Sequence, residues 1–379
     1  MKICVIGLGY IGLPTALLLA KRNKVVGFDT NKELVGKLKK GKIMMQEQGL
    51  MELFKKVRKN LSATNTVEEA EVFIVCVPTP LNKKKKCDLS FIRKAAKDIS
   101  KVLKKGNLVI LESTVPPGTT RNFFGKIIEK ESGLKPGEDF FLSYVSEKAI
   151  PGKILFEIEN NARIVGAINK KSFDLTKKIY SSFVKGKIIK TEIELAEISK
   201  LMENTYRDVN IALANEFKRI CDALGIEVNK AIELANLHPR VNILKPSIGV
   251  GGYCLTKDPW FLIEKTKHGN LIRISRKIND TQTEYTLDLI KKILKKEKIK
   301  HPVVGLLSLA YKPGVSDLRE SSMLKIYYLL KKEKIKVLAT DPLIKEIKGI
   351  SIEKKSEVIK RANILLDHYN IYINKKIKE

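Results

Sequence analysis

A short glycine-rich stretch, residues 249–260, contains the residue types with the clearest potential for covalent chemistry. Its sequence GVGGYCLTKDPW places Cys254 after three glycines, with Lys257 and Asp258 three and four positions later. Glycine lets the backbone adopt positive φ and approach a ligand closely, where a Cβ would intrude. A helix beginning at Cys254 would place the thiol at a positive helix end, and that dipole together with Lys257 would favour the nucleophilic thiolate. The alternative is a structural cysteine in a glycine-rich turn.

The start of the chain has the pattern of a dinucleotide site. An apolar strand over residues 1–6 precedes GLGYIG, which contains Gly7, Gly9 and Gly12, and a helix and a second strand follow, ending on Asp29. In this setting the three glycines provide a tight turn, room for the pyrophosphate and close packing of the helix on the sheet, and the pyrophosphate binds at the helix N-terminus. The acid would accept a hydrogen bond from the ribose 2′-OH and repel a 2′-phosphate. The pattern therefore favours NAD over NADP.

Strands and helices alternate beyond this fingerprint. Apolar strands predicted at 72–77 and 108–111 end in the loops PTP and ESTVPPGT, and a further strand leads into SEKAIPG at 146–152. In an open α/β sheet, ligands bind outside the carboxyl ends of the strands, where both of the first two loops are expected.

A long helix is predicted from 192 to about 224, because apolar residues recur there at helical spacing. Lys200 and Asn204 are four residues apart on one face of it and could address one site together, although such side chains on a helix are usually solvated. Strands resume at 302–307 and 337–340, which indicates a second, smaller α/β unit. The sequence thus predicts an α/β protein.

Three domains follow from this order of elements. We expect a Rossmann-like NAD-binding domain at 1–188, a helical central domain with the cysteine loop at 189–298, and a short α/β domain at 299–379.

Composition limits the other possibilities. The 379 residues are 44% hydrophobic, and no apolar run approaches the ~20 residues of a membrane span. No signal-peptide pattern is present, so a soluble, cytoplasmic protein without a membrane partner is expected. Five scattered cysteines without a CxxC pair, and four histidines, argue against a disulfide framework and against a zinc site. No metal is predicted.

The net charge of +30 would fit nucleic-acid binding. The lysines, however, occur in short runs without interleaved aromatic residues, and no nucleic-acid-binding motif is present. We interpret most of them as solvated surface that could also attract an anionic substrate. No nucleic-acid partner is predicted.

Taken together, these stretches resemble the nucleotide-sugar 6-dehydrogenase family, which includes UDP-glucose, GDP-mannose and UDP-N-acetylmannosamine dehydrogenases. The fingerprint, the ESTVPPGT loop, the KLxEN pattern of the long helix and GVGGxC occur in family order along essentially the whole chain. Within the family, the loops at 112–119, 146–152, 238–242 and 258–261 look most like those of the UDP-N-acetyl-D-mannosamine dehydrogenases.

The resemblance implies oxidation of the sugar C6 alcohol to a carboxylate with two NAD⁺ and one water. Cys254 would be the nucleophile, forming a thiohemiacetal and then a thioester. Lys200 would be the acid/base or the cationic partner of the developing oxyanion, and Asn204 a second donor to it. Glu147 and Asp258 are both candidates for activating water. Such sugar acids commonly enter surface polysaccharides.

The resemblance also implies binding contacts. Besides the fingerprint glycines, NAD would contact Tyr10, Ile11, Asp29, Thr79, Thr114 and Arg319, with Thr114 positioning water or cofactor. The UDP-sugar would contact Lys148, Ala149, Asn204, Arg207, His238, Arg240, Gly251, Tyr311 and Lys312. The family counterpart of Arg240 reaches a neighbouring subunit's site, which implies a homodimer through the long helix. From the residues alone, Arg319 could instead pair with Asp317 or Glu320, and His238 could be a helix cap.

The chain departs from the family pattern at several positions. Ser146 and Lys148 flank the glutamate where the family often has proline and arginine, and a lysine lacks the bidentate fork of an arginine. Ser247 and Ile248 replace a Gly-Pro pair, and Tyr253 replaces the usual histidine before the cysteine. The C-terminal unit is also short, and it should hold the nucleotide.

Three alternatives remain open from the sequence. The substrate could be another nucleotide sugar, such as UDP-N-acetylglucosamine, UDP-glucose or GDP-mannose. The chain could be a nucleotide-binding homologue that has lost catalysis. It could also be a two-electron dehydrogenase of the 6-phosphogluconate or 3-hydroxyacyl type, but such enzymes need no cysteine nucleophile.

Overall fold

The computed structural model describes residues 1–45 and 47–374, which form two compact units. The first comprises Met1–Met202 with Trp260–Lys265, and the second comprises Glu203–Pro259 with the residues from Thr266 onward. The lysine-rich end of the predicted C-terminal domain, 375–379, lies outside the described residues.

Within the described residues, the first unit is built on an eight-stranded sheet. Its strands are β1 (Lys2–Ile6), β2 (Lys24–Phe28), β3 (Leu61–Thr64), β4 (Val72–Val75), β5 (Leu108–Leu111), β6 (Phe141–Val145), β7 (Arg163–Ala167) and β8 (Ile188–Thr191). They are ordered β3-β2-β1-β4-β5-β6-β7-β8, and all neighbours pair in parallel except β6 with β7. The first six strands have the order of a dinucleotide-binding fold, which brings the carboxyl ends of β1 and β4 together at the topological switch point.

Both faces of this sheet are covered. Ile3 and Val5 belong to one apolar core, whereas Cys4 and Ile6 belong to the other, as the two-residue period of a strand requires. Strands β4 and β5, VFIV and LVIL, are apolar and buried throughout, which is typical of a buried parallel sheet. The covering helices are α1 (Gly12–Leu19), α2 (Lys32–Lys39), α3 (Leu50–Val57), α4 (Ser90–Ser100), α5 (Lys126–Ser132), α6 (Ile154–Asn160) and α7 (Lys170–Tyr180). A 3₁₀ turn at Arg58–Asn60 and a π-helical turn at Thr120–Gly125 supplement them.

The predicted long helix is α8, Ile193–Leu224, with 32 residues. The remaining helices are α9 (Val228–Ala235), α10 (Asp258–Ile263), α11 (Asn270–Asp280), α12 (Gln282–Lys296), α13 (Ser322–Lys332) and α14 (Lys355–Arg361). Among the residues that the structure describes, no helix is long and apolar enough to cross a membrane.

The second unit contains the smaller sheet predicted from the sequence. In the described part of the chain its strands are β9 (Val303–Leu306), β10 (Lys336–Ala339), β11 (Ile364–Leu366) and β12 (Ile371–Ile373), in the order β10-β9-β11-β12. The central strand β9 is parallel to both of its neighbours, and β12 is antiparallel to β11. Buried residues of α12, α13 and the sheet, such as Leu294, Met323 and Ile364, form its core.

Candidate active site

The glycine fingerprint lies between β1 and α1 and is shaped for a dinucleotide. Gly7 has φ 92°, and a Cβ on it would lie 2.7 Å from the Cys76 carbonyl oxygen, while a Cβ on Gly12 would lie 1.8 Å from the Gly7 oxygen. A Cβ on the exposed Gly9, in contrast, would meet no atom within 4 Å. The first and third glycines are thus required by the chain itself, and the second leaves open space where a pyrophosphate can approach.

Asp29 follows β2 directly, as the fingerprint predicts. Its Oδ2 accepts a hydrogen bond from the Leu8 N–H at 2.9 Å, and its Oδ1 accepts from the Asn31 N–H at 2.8 Å. A carboxylate offers about four acceptor positions, so capacity for a ribose hydroxyl remains. Tyr10 and Ile11 are half-buried beside these groups. The residues present therefore fit NAD.

The two predicted strand-end loops meet. The buried Thr79, beyond β4, donates its hydroxyl to the carbonyl oxygen of the half-buried Thr114, beyond β5, at 2.7 Å. The contact arises because β4 and β5 are neighbours in the sheet and their carboxyl ends lie at the same edge. Two residues predicted to contact NAD are thereby held together.

Glu147 lies just beyond β6 and is buried. Its Oε1 accepts from the fully buried Arg163 guanidinium at 2.7 Å, and its Oε2 accepts from the Ala149 N–H at 2.7 Å. The half-buried Lys148 lies between Glu147 and Ala149 in the chain. Both carboxylate oxygens of this candidate base are thus already bonded.

A second buried carboxyl was not among the predicted site residues. Glu112, the first residue after β5, accepts hydrogen bonds from the Tyr180 hydroxyl and the Cys76 thiol, each at 3.2 Å. Burial raises the pKa of Glu112 to about 7; the Arg163 guanidinium opposes this and the Glu147 charge adds to it. The sequence placed Glu112 at the start of the ESTVPPGT loop after an apolar strand, but it did not indicate its partners, because Cys76 and Tyr180 are distant in the chain.

The glycine-rich loop of the second unit fits closely against the segment before α13. Gly252 has φ 87°, and a Cβ on it would lie 2.7 Å from the Tyr311 ring; a Cβ on Gly251 would lie 2.5 Å from the Glu320 carbonyl oxygen. These glycines let the loop approach Tyr311. They thereby place the exposed Cys254 next to residues 311–320.

The prediction that a helix begins at Cys254 is wrong, because α10 begins at Asp258. Residues 253–257 instead form a turn, in which the Asp258 N–H donates to the Cys254 carbonyl oxygen at 2.9 Å. The thiol therefore does not lie at the positive end of a regular helix.

Charge close to the thiol comes from Lys257. Its ammonium is buried and lies 2.7 Å from Oδ1 of the fully buried Asp258. Burial by itself would lower the pKa of Lys257, but the charges of Asp258 and Cys254 raise it above its ordinary value. The interaction is mutual, so the ammonium favours the thiolate form of Cys254.

Asp258 also connects the loop to α8. Its Oδ2 accepts from the buried Asn204 amide at 2.6 Å, so its two oxygens bind Lys257 and Asn204. An amide has two N–H donors, and the second one can serve another acceptor. The arrangement orients Asn204 as a donor beside the cysteine loop.

Several predicted nucleotide-sugar and cofactor contacts surround Tyr311. Burial raises the pKa of Tyr311 to about 12, as do the charges of Asp317 and Cys254, whereas Arg319 and Arg207 lower it. The half-buried Lys312 lies over the Tyr311 ring, 5.7 Å from its centroid.

Arg319 is paired as one of the sequence alternatives suggested. It donates to Asp317 with Nε at 3.0 Å and Nη2 at 2.6 Å, and its guanidinium lies 5.3 Å from the Tyr253 ring centroid. Its side chain is still 42% exposed, so a face remains available to a ligand.

Two further predicted residues follow α9 in the second unit. His238 and Arg240 are both exposed, and Nδ1 of the histidine accepts from the Arg240 N–H at 3.3 Å. This contact lies within a turn and is not a helix cap, because α9 ends at Ala235 and the next described helix begins at Asp258. Lys200 is buried on α8 within the first unit.

Family comparisons agree with these features. Residues 1–184 match the NAD binding domain of the UDP-glucose/GDP-mannose dehydrogenase family, residues 194–281 its central domain, and residues 305–374 its UDP binding domain. The resemblance, the NAD cofactor and the α/β fold inferred from the sequence are thereby confirmed.

Individual relatives are similar over most of their length. A UDP-N-acetyl-D-mannosamine dehydrogenase of Methanococcus maripaludis is 46% identical over 348 residues, covering 90% of this chain and 79% of the relative. The Methanocaldococcus jannaschii protein of that name is 43% identical, covering 100% and 88%. The solved structure of the Pyrococcus horikoshii UDP-D-ManNAc dehydrogenase superposes with a TM-score of 0.90 at 40% identity, covering 96% and 88%. This chain therefore belongs to the UDP-glucose/GDP-mannose dehydrogenase family of NAD-dependent nucleotide-sugar dehydrogenases.

Proposed function

We propose that this protein oxidises the C6 alcohol of UDP-N-acetyl-D-mannosamine to a carboxylate, consuming two NAD⁺ and one water for each sugar. The names of its relatives support this sugar. The observation that carries the proposal is the cysteine loop: an exposed Cys254 adjoins a buried Lys257–Asp258 ion pair, and Asp258 orients Asn204. An accessible thiol beside a cation and an oriented amide donor suits covalent aldehyde chemistry.

Bound NAD would accept a hydride from C6 in each of the two oxidations. Lys200 would take the hydroxyl proton as the alcohol becomes an aldehyde. The Cys254 thiolate would then form a bond to C6, and the carbonyl electron pair would move to oxygen, which takes a proton to give a thiohemiacetal. Lys200 and Asn204 would stabilise the intervening oxyanion.

The second oxidation removes a hydride and the hydroxyl proton from the thiohemiacetal, which leaves a thioester. Water positioned near Thr114 would attack this carbonyl while a base takes its proton. The carbon–sulfur bond then breaks, and the electron pair returns to Cys254 as thiolate. A base role for Glu147 requires exchange of a contact with Arg163 or Ala149, and one for Asp258 requires exchange of a contact with Lys257 or Asn204.

The test is the number of NADH formed per sugar nucleotide consumed. We expect two NADH from UDP-N-acetylmannosamine and little from UDP-glucose, UDP-N-acetylglucosamine or GDP-mannose. One NADH would instead indicate a two-electron alcohol dehydrogenase and a structural Cys254. No NADH with any sugar would favour a homologue that binds nucleotides without catalysis.

The Cys254→Ser variant is the matched control for the covalent route. It should form almost no uronate while NAD binding stays unchanged, because an alcohol is a far weaker nucleophile than a thiolate. Turnover like that of the wild type in this variant would contradict the thioester mechanism.

We also propose that the enzyme works as a homodimer in the cytoplasm, supplying a sugar acid for polysaccharide synthesis. The dimer is supported by large apolar side chains that are exposed along α8: Tyr206, Leu213, Ile220 and Leu224. Their spacings of seven, seven and four residues place them on one side of the helix. A stripe of this kind is suited to packing against a second copy.

A further inference from the structure

A buried carboxylate on α8 accepts hydrogen bonds from the loop that follows β5. Glu197 is fully buried in the first unit, and its Oε2 accepts from the Gly118 N–H at 2.5 Å. Its Oε1 accepts both the N–H and the hydroxyl of Thr120, at 2.7 and 2.6 Å. The carboxylate thereby binds donors at the start of the π-helical turn, where backbone N–H groups lack partners within the turn.

The loop that Glu197 binds, residues 114–120, is restricted by its own residues. Pro116 and Pro117 restrict its backbone, Val115 is fully buried, and the Thr119 hydroxyl donates to the Pro116 carbonyl oxygen at 2.5 Å. At its other end, the carbonyl oxygen of Thr114 is held by Thr79. A displacement at the Glu197 end is therefore transmitted to Thr114 rather than absorbed by the loop.

Glu197 is also rigidly linked to Lys200, because three residues on a helix place both side chains on neighbouring positions of one face. We propose that Glu197 is a positioning residue for the oxidation: it fixes Thr114, and the NAD that contacts it, relative to Lys200. This role rests on the function proposed above, since Lys200 and Thr114 act there on the sugar hydroxyl and the cofactor.

The protonation state of Glu197 determines whether it can accept these hydrogen bonds. Burial raises its pKa to about 7, although the hydrogen bonds from Thr120 and Gly118 oppose the shift. The charged neighbours are Glu194, one turn earlier on α8, and Arg121 of the π-helical turn, which bind each other at 2.8 Å. Both carboxylate oxygens face donors, so a proton on either would replace an acceptor by a competing donor. The hydrogen bonds from Gly118 and Thr120 to Glu197 should therefore weaken as pH falls through about 7.

The decisive variant is Glu197→Gln, which keeps the shape but places an NH₂ group against the N–H donors. We expect its NAD dissociation constant to rise roughly tenfold and its kcat to fall by a similar factor, as suits loss of a charge-assisted bond. Its UDP dissociation constant should be unchanged, which also reports an intact fold. Wild-type NAD affinity should fall between about pH 8 and pH 6. The variant should lose most of this fall and keep only the part that comes from the Glu112 carboxyl, whose pKa is also about 7.

Glu194→Gln is the matched control on the same helix. It should keep the wild-type NAD affinity at about pH 8, and its fall in affinity should move to lower pH, because the Glu194 charge helps to raise the pKa of Glu197. Wild-type NAD affinity and pH profile in Glu197→Gln would overturn the inference. So would an equal loss of NAD and UDP binding, which would indicate a general structural role. Because NAD binding is measured directly at equilibrium, these outcomes are distinct from failure of the wild type to oxidise any sugar.

Discussion

At the scale of single residues, burial of charge decides what the candidate groups can do. Lys257 and Asp258 lie together where neither charge is solvated, so each depends on the other. Breaking a buried ion pair costs more than its net contribution, because it leaves an uncompensated charge.

Replacing Asp258 by Asn should therefore lower the free energy of unfolding by about 3 kcal/mol, since Lys257 remains buried without its counter-ion. Uronate formation should also be lost, because Asn204 is no longer oriented. Denaturant unfolding and NADH production measure the two effects.

The double variant Lys257→Met with Asp258→Leu separates them. Removing both charges should restore most of the stability without restoring activity. A single variant as stable as the wild type would show that the pair contributes nothing.

Glu112 predicts a pH dependence of stability. Its pKa rises from 4.5 in the unfolded chain to about 7 in the fold, so the native state binds more protons between these values. Stability should accordingly fall as pH rises through this window. In Glu112→Gln the free energy of unfolding should fall less over this window, by roughly 2 kcal/mol. Each pKa unit corresponds to about 1.36 kcal/mol, and the value is reduced to allow for relaxation of the buried site.

Unfolding free energies at about pH 5 and pH 8 provide the measurement. The Glu197 carboxyl titrates in the same direction, so a residual slope should persist in the variant. Glu138→Gln, at an exposed position, is the control and should match the wild type. An unchanged slope in Glu112→Gln would contradict the assignment.

At the scale of elements, the glycine-rich loop requires glycine at position 252 for two reasons: a positive φ, and the absence of room for a Cβ. Gly252→Ala should lower stability by roughly 2–4 kcal/mol, because the left-handed conformation costs about 1–2 kcal/mol and contact with the Tyr311 ring adds overpacking. Uronate formation should fall as well, since the loop bears Cys254.

Gly106→Ala isolates the conformational part of this cost. Gly106 has nearly the same φ, 86°, but a Cβ there would meet no atom within 4 Å. It should lose only about 1–2 kcal/mol and keep activity. Equal losses in the two variants, measured by chemical unfolding, would show that the close approach to Tyr311 is unimportant.

Helix α8 provides the second prediction at this scale. Leu213 is 44% exposed in the middle of the apolar stripe. Leu213→Glu should weaken the proposed dimer by at least tenfold, because a charge would be desolvated at the interface. Sedimentation equilibrium measures the effect, and Glu138→Gln, an exposed charged position outside α8, is the control. A monomeric wild type would refute the dimer itself.

At the scale of the whole molecule, the chain combines an NAD domain at 1–184 with a UDP domain at 305–374. A ligand that binds only the folded state opposes local unfolding of the segments that bind it. At a ligand concentration of a hundred times Kd, the free energy of that unfolding rises by about 2.7 kcal/mol. Hydrogen exchange should therefore slow around Gly7–Gly12 with NAD and within 305–374 with UDP.

Each ligand added alone serves as the control for the other. Protection of Gly7–Gly12 by UDP alone, without NAD, would contradict the assignment of the fingerprint to the dinucleotide.

What the sequence determined is local. Gly7, Gly9, Gly12 and Asp29 predicted an NAD-binding domain, because turn geometry and strand–helix periodicity are properties of consecutive residues, and the family match over 1–184 confirms that domain. The α/β fold, the long helix and the family followed from the same patterns and their order, and the comparisons confirm them. The roles of the individual site residues stay predictions.

What only the tertiary structure decided is the environment of each charged group. Asn204 and Asp258 are 54 residues apart in the chain, and Glu197 and Thr120 are 77 apart. The burial that raises the pKa of Glu112 and of Glu197 to about 7 likewise comes from distant segments. The start of α10 was mispredicted because the apolar residues after Cys254 do not extend the helix back to it: residues 253–257 form a turn, and α10 begins at Asp258. Desolvation and pairing depend on residues brought together by folding, and no local pattern encodes them.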